Sequence, residues 1–357
     1  MKYIGLDVGN GTIGMGIKTE NGTITYDTFP SVYGLFDRTA QNIHLSVSKK
    51  KQAKIFSLEG RDYVLGYEDV INTGSTPISA YDREERIHRK EYQILTKLSL
   101  LDAATKDMAD GVIEVSLSLG TPVEDYRDEQ LAEIRRWFEA PVSGTVNGKQ
   151  VVVMVKHLEI VSQPISVLMD AYLDNDGFIA DETIESEKIL VLDSGSGTLD
   201  MTEFDKMTLV KQSSGAIGMN DVYQNMITEI KRREPKARVD AFDLERQLRE
   251  QDGHEKYQFS YGRISLDISE IRSNAMNVTW ERMVGIITRE YPDRLKFNRV
   301  LLAGGTGEAF KSYFGAWMPT ITLSDDSQLA IARGLLKYLL ANVAQTEVIE
   351  EAGIASE

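Results

Sequence analysis

One pattern occurs twice in this chain, and it limits the fold more than anything else in the sequence. Tyr3-Ile4-Gly5-Leu6-Asp7-Val8-Gly9-Asn10-Gly11-Thr12-Ile13 reads as an apolar strand, an Asp, a Gly-x-Gly turn and a second strand. Lys188-Ile189-Leu190-Val191-Leu192-Asp193-Ser194-Gly195-Ser196-Gly197-Thr198-Leu199-Asp200 repeats it half a chain later. A short apolar run bounded by turn residues is the signature of a buried strand. Glycines in the turn allow backbone angles closed to other residues and let a ligand approach the main chain. Successive N–H groups in such a turn form an anion-binding concavity. A carboxylate beside a bound anion has one obvious use, which is to hold a divalent cation. A single copy would be an ordinary hairpin. Two copies point to two similar halves facing each other across a cleft, each offering a phosphate-gripping hairpin.

Length and charge agree with that reading. A chain of 357 residues is too long for one ordinary core and suits two domains. Hydrophobic content of 42% and charged content of 27% are those of a soluble globular protein. No apolar run reaches membrane-spanning length, and the N-terminus enters a strand with no leader pattern, so a cytoplasmic location is expected. The absence of Cys excludes disulfides and thiolate metal sites. A net charge of −15 argues against direct binding to nucleic acid or to an anionic membrane. The one dense basic cluster, Lys49-Lys50-Lys51 with Lys54, reads as a solvated loop or strand end.

Taken in order, residues 2–8, 12–18 and 23–28 read as strands, with Asn21-Gly22 turning between the last two. Residues 30–78 are irregular, with short strands at 53–58 and 62–66. A helix is expected over about 88–109, a strand over 112–119 and an amphipathic helix over 125–139. Two strands at 142–146 and 150–155 flank Asn147-Gly148, and another strand is expected at 157–161. Ser162-Gln163-Pro164 opens a helix over 165–174, with Pro natural in its first turn. After the second Gly-x-Gly hairpin come a strand at 206–214 and helices at 219–233, 239–250 and 267–290. A strand at 297–302 runs into Ala303-Gly304-Gly305-Thr306-Gly307 and then a helix over 308–314. A Gly-rich turn leading into a helix suits the polar side of a nucleotide. Ser324–Asp326 is expected to cap a last helix over 326–342, and residues 343–357 to form a frayed acidic tail.

Four motifs thus stand in a fixed order: Asp7–Gly11, Gln163-Pro164, Asp193–Asp200 and Leu301–Gly307, followed by the last helix. Together they resemble the ATPase fold shared by actin, sugar kinases and the seventy-kilodalton heat-shock chaperones. Leu6–Gly11, Leu192–Thr198 and the stretch Asp325-Asp326-Ser327-Gln328 with Arg333-Gly334 are most similar to the bacterial actin-like plasmid-segregation proteins, the ParM/StbA family. The resemblance implies an α/β, actin-like two-domain ATPase fold, with two similar mixed-sheet halves around a nucleotide cleft. Each half would hold a core sheet of five strands. Domain I would be 1–163, with an inserted subdomain at about 30–80, completed by helix 326–342. Domain II would be 164–325, with a helical subdomain at about 219–272 closing over the base.

The same resemblance implies roles. Asp7, Gly9, Asn10, Gly11 and Thr12 would form the first phosphate loop, and Asp193, Gly195, Ser196, Gly197 and Thr198 the second. Gly304, Gly305 and Thr306 would line the nucleoside side. Asp7 and Asp193 would hold Mg²⁺ through waters, since that ion keeps much of its hydration shell. Gln163 would orient the attacking water; an amide donates and accepts but is not a base, which suits hydrolysis better than abstraction of a hydroxyl proton. The nucleotide would be ATP, with GTP the alternative. The expected activity is nucleotide-driven head-to-tail filament formation that segregates plasmid or phage DNA in a bacterial cytoplasm through a DNA-binding adaptor. A small-molecule kinase would need an acidic base where Gln163 stands. A chaperone would need a substrate domain after the ATPase, and a cell-shape actin often starts with an amphipathic membrane segment. One departure stands out. Many relatives carry a Lys seven places after the first Asp; here that place is Gly14, and the next Lys is Lys18.

Overall fold

The computed structural model describes residues 1–39, 53–79, 86–107, 110–251, 253–318, 320–322 and 326–351, the last eight of these by backbone alone. The Lys49–Lys51 cluster, the Ser324 cap and the last six residues of the acidic tail lie outside the described residues. In the first half of the chain the strands are β1 (Lys2–Val8), β2 (Thr12–Lys18), β3 (Ile24–Pro30), β4 (Val32–Leu35), β5 (Ile55–Leu58), β6 (Arg61–Leu65), β7 (Pro77–Ser79), β8 (Gly111–Thr121), β9 (Val142–Val146) and β10 (Lys149–Ser162). Those of the second half are β11 (Lys188–Ser194), β12 (Leu199–Asp205), β13 (Thr208–Gly215), β14 (Gln258–Tyr261), β15 (Ile264–Asp267), β16 (Arg299–Ala303) and β17 (Ile321–Thr322). The helices are α1 (Tyr67–Thr73), α2 (Lys90–Ala104), α3 (Asp128–Arg136), α4 (Gln163–Tyr172) and α5 (Met219–Arg233). They continue as α6 (Ala241–Glu250), α7 (Ser269–Glu290), α8 (Gly305–Ala309), α9 (Lys311–Trp317) and α10 (Ala330–Glu351). Among the described residues no helix is long and apolar enough to cross a membrane.

Two compact units result, Met1–Glu187 with Ser324–Glu357, and Lys188–Leu323. Residues 164–187, expected in the second domain, therefore pack with the first unit. The reason is α4, which crosses α10 through an ion cluster. Arg333 Nη2 donates to Asp170 Oδ2 at 2.7 Å, and Lys337 Nζ lies 2.9 Å from Asp170 Oδ1. All three side chains are mostly buried, and removing one partner of such a cluster typically costs about 3–5 kcal/mol.

The first unit is built on one sheet in the order β3-β2-β1-β8-β10-β9-β5-β6-β4-β7. Its first five strands are the expected core: β3, β2 and β1 are antiparallel neighbours, and β1, β8 and β10 run parallel. The sheet does not stop at five strands. The segments read as separate strands at 150–155 and 157–161 are one long strand, β10, whose register shifts between Val155 and His157. Its early residues pair with β9, and β9 pairs with β5, so the inserted strands extend the core sheet. One face packs Leu95, Leu98 and Leu101 of α2 against Ile4, Leu6, Val115 and Leu117. α10 covers β1 so closely that a Cβ on Gly5 would sit 2.6 Å from the Leu336 amide nitrogen and 2.7 Å from the Ala332 oxygen.

In the second unit the order is β13-β12-β11-β16-β17, with the same directions: antiparallel, antiparallel, parallel, parallel. The sequence repeat is therefore a structural repeat. Val222, Met226 and Ile230 of α5 and Ile271, Met283 and Ile287 of α7 join Leu190, Leu192 and Val300 in one apolar core. The hairpin β14–β15 forms a separate small sheet.

Three expectations at the end of the chain are corrected. The helix read at 308–314 is two short helices, parting at the fully buried Phe310. The last helix starts at Ala330 rather than 326, because Asp326–Leu329 fold into turns in which Asp326 Oδ1 accepts from the Gln328 amide at 3.0 Å. It then continues to Glu351, so residues 343–351 are helix rather than a frayed tail.

Candidate functional site

The first hairpin places its carboxylate where three parallel strands end. Asp7 is in register with Gly14 on β2 and Gly120 on β8. Gly120 leaves room for it, since a Cβ there would approach Asp7 Oδ1 to 3.4 Å. Thr121 and Ser162 pair at the ends of β8 and β10, and β10 passes directly into α4, whose first residue is Gln163. Gln163 Nε2 donates to Asp7 Oδ1 at 2.7 Å, with both side chains buried, at 7% and 8% exposure. The turn closes by Gly9 N donating to Thr12 O at 3.0 Å. Ser31 holds it from outside, its hydroxyl donating to Gly9 O at 2.6 Å and its amide to Gly11 O at 3.0 Å.

Burial pushes the Asp7 carboxyl up to about 6, against the Gln163 bond and the attraction of Arg86, both of which favour the charged form. Arg86 is itself buried, with Nε donating to Asp125 Oδ2 at 2.9 Å and its guanidinium 5.0 Å from the Tyr92 ring centre. Asp7 is thus a carboxylate drawn into a dry site, where a cation would be welcome.

The second hairpin repeats the first. Asp193 occupies the matching place, paired with Asp200 on β12 and Ala303 on β16. Gly195 N donates to Thr198 O at 2.9 Å. The turn's carbonyls are again held by a hydroxyl and an amide, Thr306 Oγ1 donating to Gly195 O at 2.7 Å and Asn220 N to Ser196 O at 2.9 Å. Thr306 Oγ1 also accepts from the Met219 amide at 3.2 Å, so this residue ties the turn to the start of α5. Gly304 has φ 86°, a left-handed conformation that favours glycine, and a Cβ there would lie 2.7 Å from Asp193 Oδ1. Gly9 and Gly195, by contrast, have no positive φ. For Gly9 the need is space, because a Cβ would meet Thr12 O at 2.8 Å.

The structure therefore brings Asp7, Gly9–Thr12 and Gln163 together in one unit, and Asp193, Gly195–Thr198 and Gly304–Thr306 in the other. Sequence reading missed Ser31, Arg86, Thr121 and Ser162, which reach the site through strand pairing or long-range bonds. Lys18 does not replace the missing Lys: it pairs with Tyr3 at the far end of the hairpin and bonds Asp176 at 3.0 Å. Gly14 itself lies under α10, where a Cβ would meet the Ala332 Cβ at 3.2 Å.

Among the described residues no three His, Cys, Asp or Glu side chains cluster into a metal cage. Carboxylates outside such a cluster fit Mg²⁺, which takes one or two of them and completes its shell with waters and phosphate oxygens. Four buried hydroxyls in the segments around the two aspartates, on Thr121, Ser162, Ser194 and Ser196, have no hydrogen-bond partner among the described residues. Buried polar atoms of this kind are normally satisfied by water or ligand. In each unit taken by itself, the donors therefore suit a hydrated cation that arrives with an anionic ligand.

Residues 5–165 match the family model described as the N-terminal domain of actin-like proteins. No curated protein matches the chain. Among solved structures, a ParM in a 15-stranded filament from Clostridium botulinum is similar over 95% of this chain and 98% of its own, at 16% identity and a TM-score of 0.73. Ta0583, an archaeal actin homologue in complex with ADP, is similar over 97% of this chain and 100% of its own, at 20% identity and a TM-score of 0.70. Bacillus thuringiensis ParM with ATP is similar over 97% and 99%, at 16% identity and a TM-score of 0.67. At these identities the likeness establishes the fold, which is the actin-like one in both units.

Proposed function

We propose that this chain, an actin-like protein of the ParM type, hydrolyses ATP, with GTP the alternative, and assembles head to tail into filaments that segregate plasmid or phage DNA through a DNA-binding adaptor. The observation that carries the reading is the repeated carboxylate hairpin, with Gln163 bonded to the first Asp at 2.7 Å. Phosphoryl transfer to water is mostly positioning and charge stabilisation. The backbone N–H groups of Asn10–Thr12 and Ser196–Thr198 would grip the phosphates, and Gly304–Thr306 would border the nucleoside. Asp7 and Asp193 are the residues that would hold Mg²⁺, whose charge would offset that of the phosphates.

The roles of the protein's own groups follow from their bonding. The Gln163 amide N–H donates a hydrogen bond to Asp7, which fixes its orientation and leaves Oε1 to accept a hydrogen bond from a water. That water is aligned rather than deprotonated by Gln163, and its proton leaves with the phosphate product. Closing the two units over the nucleotide would exclude bulk water and favour assembly, and hydrolysis would loosen both. Head-to-tail contacts that do not close generate filaments. The net charge of −15 favours an adaptor over direct contact with DNA.

The test is sedimentation and light scattering with Mg-ATP, Mg-ADP and Mg-GTP, with phosphate release measured in parallel. Triphosphate-dependent pelleting is expected. Asp193→Ala should abolish phosphate release, and Gln163→Ala should assemble but disassemble slowly. Parental turnover in Gln163→Ala, or phosphate transfer to a metabolite without assembly, would overturn the proposal.

A further inference from the structure

Among the described residues two Lys or Arg side chains are buried, Lys2 and Arg86, both in the first unit. Lys2 opens β1, at the far end from Asp7, and donates to Ala104 O at 2.5 Å and to Asp107. Arg86 is tied to the other end. Its Nε donates to Asp125 Oδ2 at 2.9 Å, and Asp125 belongs to the turn Val123–Asp125 that follows β8. β8 itself ends in Gly120, paired with Asp7, and Thr121, paired with Ser162. The guanidinium also lies over the Tyr92 ring at 5.0 Å, and Trp137 packs edge-on against that ring at 5.9 Å. Arg86 is thus a rigidly held cation at the strand ends that carry the first carboxylate.

One of its nitrogens is left over. Arg86 is only 5% exposed, and its Nη2 is buried with no hydrogen-bond partner among the described residues. A buried donor of a charged group is strongly destabilising until something accepts from it. A guanidinium has five donors and no acceptor, so whatever completes it is an acceptor. The buried hydroxyls of Thr121 and Ser162, paired across the ends of β8 and β10, also lack partners. A guanidinium with two hydroxyls is a donor set for an oxyanion with several lone pairs, and the Arg fork matches phosphate. Burial works against the charge of Arg86, but Tyr92, Asp125 and Asp7 outweigh it and raise its pKa, so it stays a cation. Asp7 repels a bare anion, so the phosphate that enters comes with its own cation. Neither 7–14 nor 193–200 contains a basic residue, which leaves this charge to Arg86.

We infer that Arg86 is a phosphate-binding residue of the first unit, its Nη2 donating to the terminal phosphate of a bound nucleoside triphosphate, with the Thr121 and Ser162 hydroxyls completing the subsite. The inference rests on the nucleotide reading and names the group that tells triphosphate from diphosphate. During hydrolysis the guanidinium meets charge on the phosphoryl oxygens and neither gives up nor takes a proton. Asp125 and Tyr92 hold the side chain beforehand, so little rotamer entropy is lost when the nucleotide binds.

Arg86→Gln and Thr121→Val test it. The readouts are calorimetric titration with Mg-ATP, Mg-ADP and Mg-ADP plus orthophosphate, and scanning calorimetry of the nucleotide-free chains. Arg86→Gln should lose Mg-ATP affinity about tenfold or more and keep Mg-ADP affinity within about twofold. Thr121→Val keeps the side chain's shape and removes only an unpaired hydroxyl. It should therefore melt no lower than the parent, yet lose Mg-ATP affinity selectively by about threefold or more. A merely structural Arg86 weakens both nucleotides alike and leaves the ratio of the two affinities unchanged. The parental ratio in folded Arg86→Gln, or in Thr121→Val where Arg86→Gln does not fold, overturns the inference and leaves the nucleotide reading standing. Orthophosphate that tightens Mg-ADP binding in the parent but not in Arg86→Gln extends the subsite to the free product; no effect in either confines it to the phosphate still attached. A parent that binds no nucleotide sinks the nucleotide reading, and this subsite with it.

Discussion

Replacing Gly334 by Ala should disable the site from a distance. Gly334 lies in α10 where it crosses the first turn of α4. A Cβ there would fall 2.5 Å from the Ser166 carbonyl carbon, closer still to its oxygen, and 3.1 Å from the Asp170 amide nitrogen. Carbon atoms rest at about 3.5–4.0 Å, so the helices must part by about 1 Å. α10 has no slack on its other side, because its backbone is seated on Gly5 of β1. Overpacking of this kind costs up to about 3 kcal/mol, offset by the roughly 0.5–1 kcal/mol that Ala gains over Gly inside a helix. A net loss of about 2 kcal/mol lowers the melting temperature of a unit of this size by roughly 4–8 °C. Activity should fall further. Ser166 Oγ donates to Gln163 O at 2.6 Å, so a shift at Ser166 moves Gln163 off Asp7. A misplacement of about 1 Å can cost on the order of 100-fold in rate. Gly285→Ala is the control. Gly285 is an exposed residue of α7 with nothing within 4 Å of its Cβ position, so the same exchange should stabilise by about 0.5–1 kcal/mol and leave turnover intact. Scanning calorimetry and phosphate release on both variants decide the matter. If Gly334→Ala melts with the parent and turns over normally, the helix crossing does not position Gln163.

Three further outcomes are expected. Asp7→Asn should stabilise the nucleotide-free protein in a pH-dependent way. The folded carboxyl titrates near 6 against 3.8 for the model value, so the folded state holds the proton more tightly, and its advantage, present below pH 3.8, is lost as pH rises through 6. The ionised form then costs about 3 kcal/mol, so urea unfolding should show a gain for Asn at pH 8 that vanishes near pH 4; an equal gain at both would refute it. Gly304→Ala forces a side chain into a left-handed backbone and against Asp193 Oδ1, so triphosphate binding by calorimetry should drop about tenfold or more, with folding retained. Removing Mg²⁺ with chelator should weaken triphosphate binding about tenfold or more, because no basic side chain occurs within 7–14 or 193–200; unchanged affinity would show that a protein cation does this work.

Legibility followed locality. β1, β2, β11, β12 and α5 were readable because hydrophobic period, glycine turns and Asp positions lie within a few residues of each other. Asp7, Asp193 and Gln163 stand out in the same local way, each at the end of an apolar strand, and the structure puts Gln163 in hydrogen-bond contact with Asp7. Contacts that join distant segments were not readable. The ten-stranded sheet depends on β9 meeting β5, which no local pattern announces. Ser31 and Thr306 matter because their hydroxyls bond carbonyls far away in sequence. Ordinary serines and threonines carry no mark of that. Arg86 looks like any other residue of a charged segment until burial pairs it with Asp125. The glycines of the turns were legible, but the reason given for them was incomplete, since at Gly9 the constraint is close approach of Thr12 O rather than a positive φ.

The repeat also shows how one scaffold was specialised. Closing bond, anchoring hydroxyl and strand directions agree between the two hairpins to within 0.1 Å in both bonds compared, 3.0 and 2.9 Å for the closure and 2.6 and 2.7 Å for the hydroxyl. The flanking strands differ. In the first unit the outer parallel strand is the 14-residue β10, long enough to deliver Gln163 to Asp7; its counterpart β17 is Ile321–Thr322. In the second unit β16 instead leads to Gly304 and Thr306, which pack on the Asp193 turn. Opposite the carboxylate, the first unit has Gly14 so that α10 can pass, and the second has Asp200, whose Oδ2 accepts from Thr198 Oγ1 at 3.0 Å. Neither hairpin brings a positive charge to the phosphates it would grip. On the proposed function, one half would orient water and the other would border the nucleoside, and the charge both lack is the one a divalent cation carries.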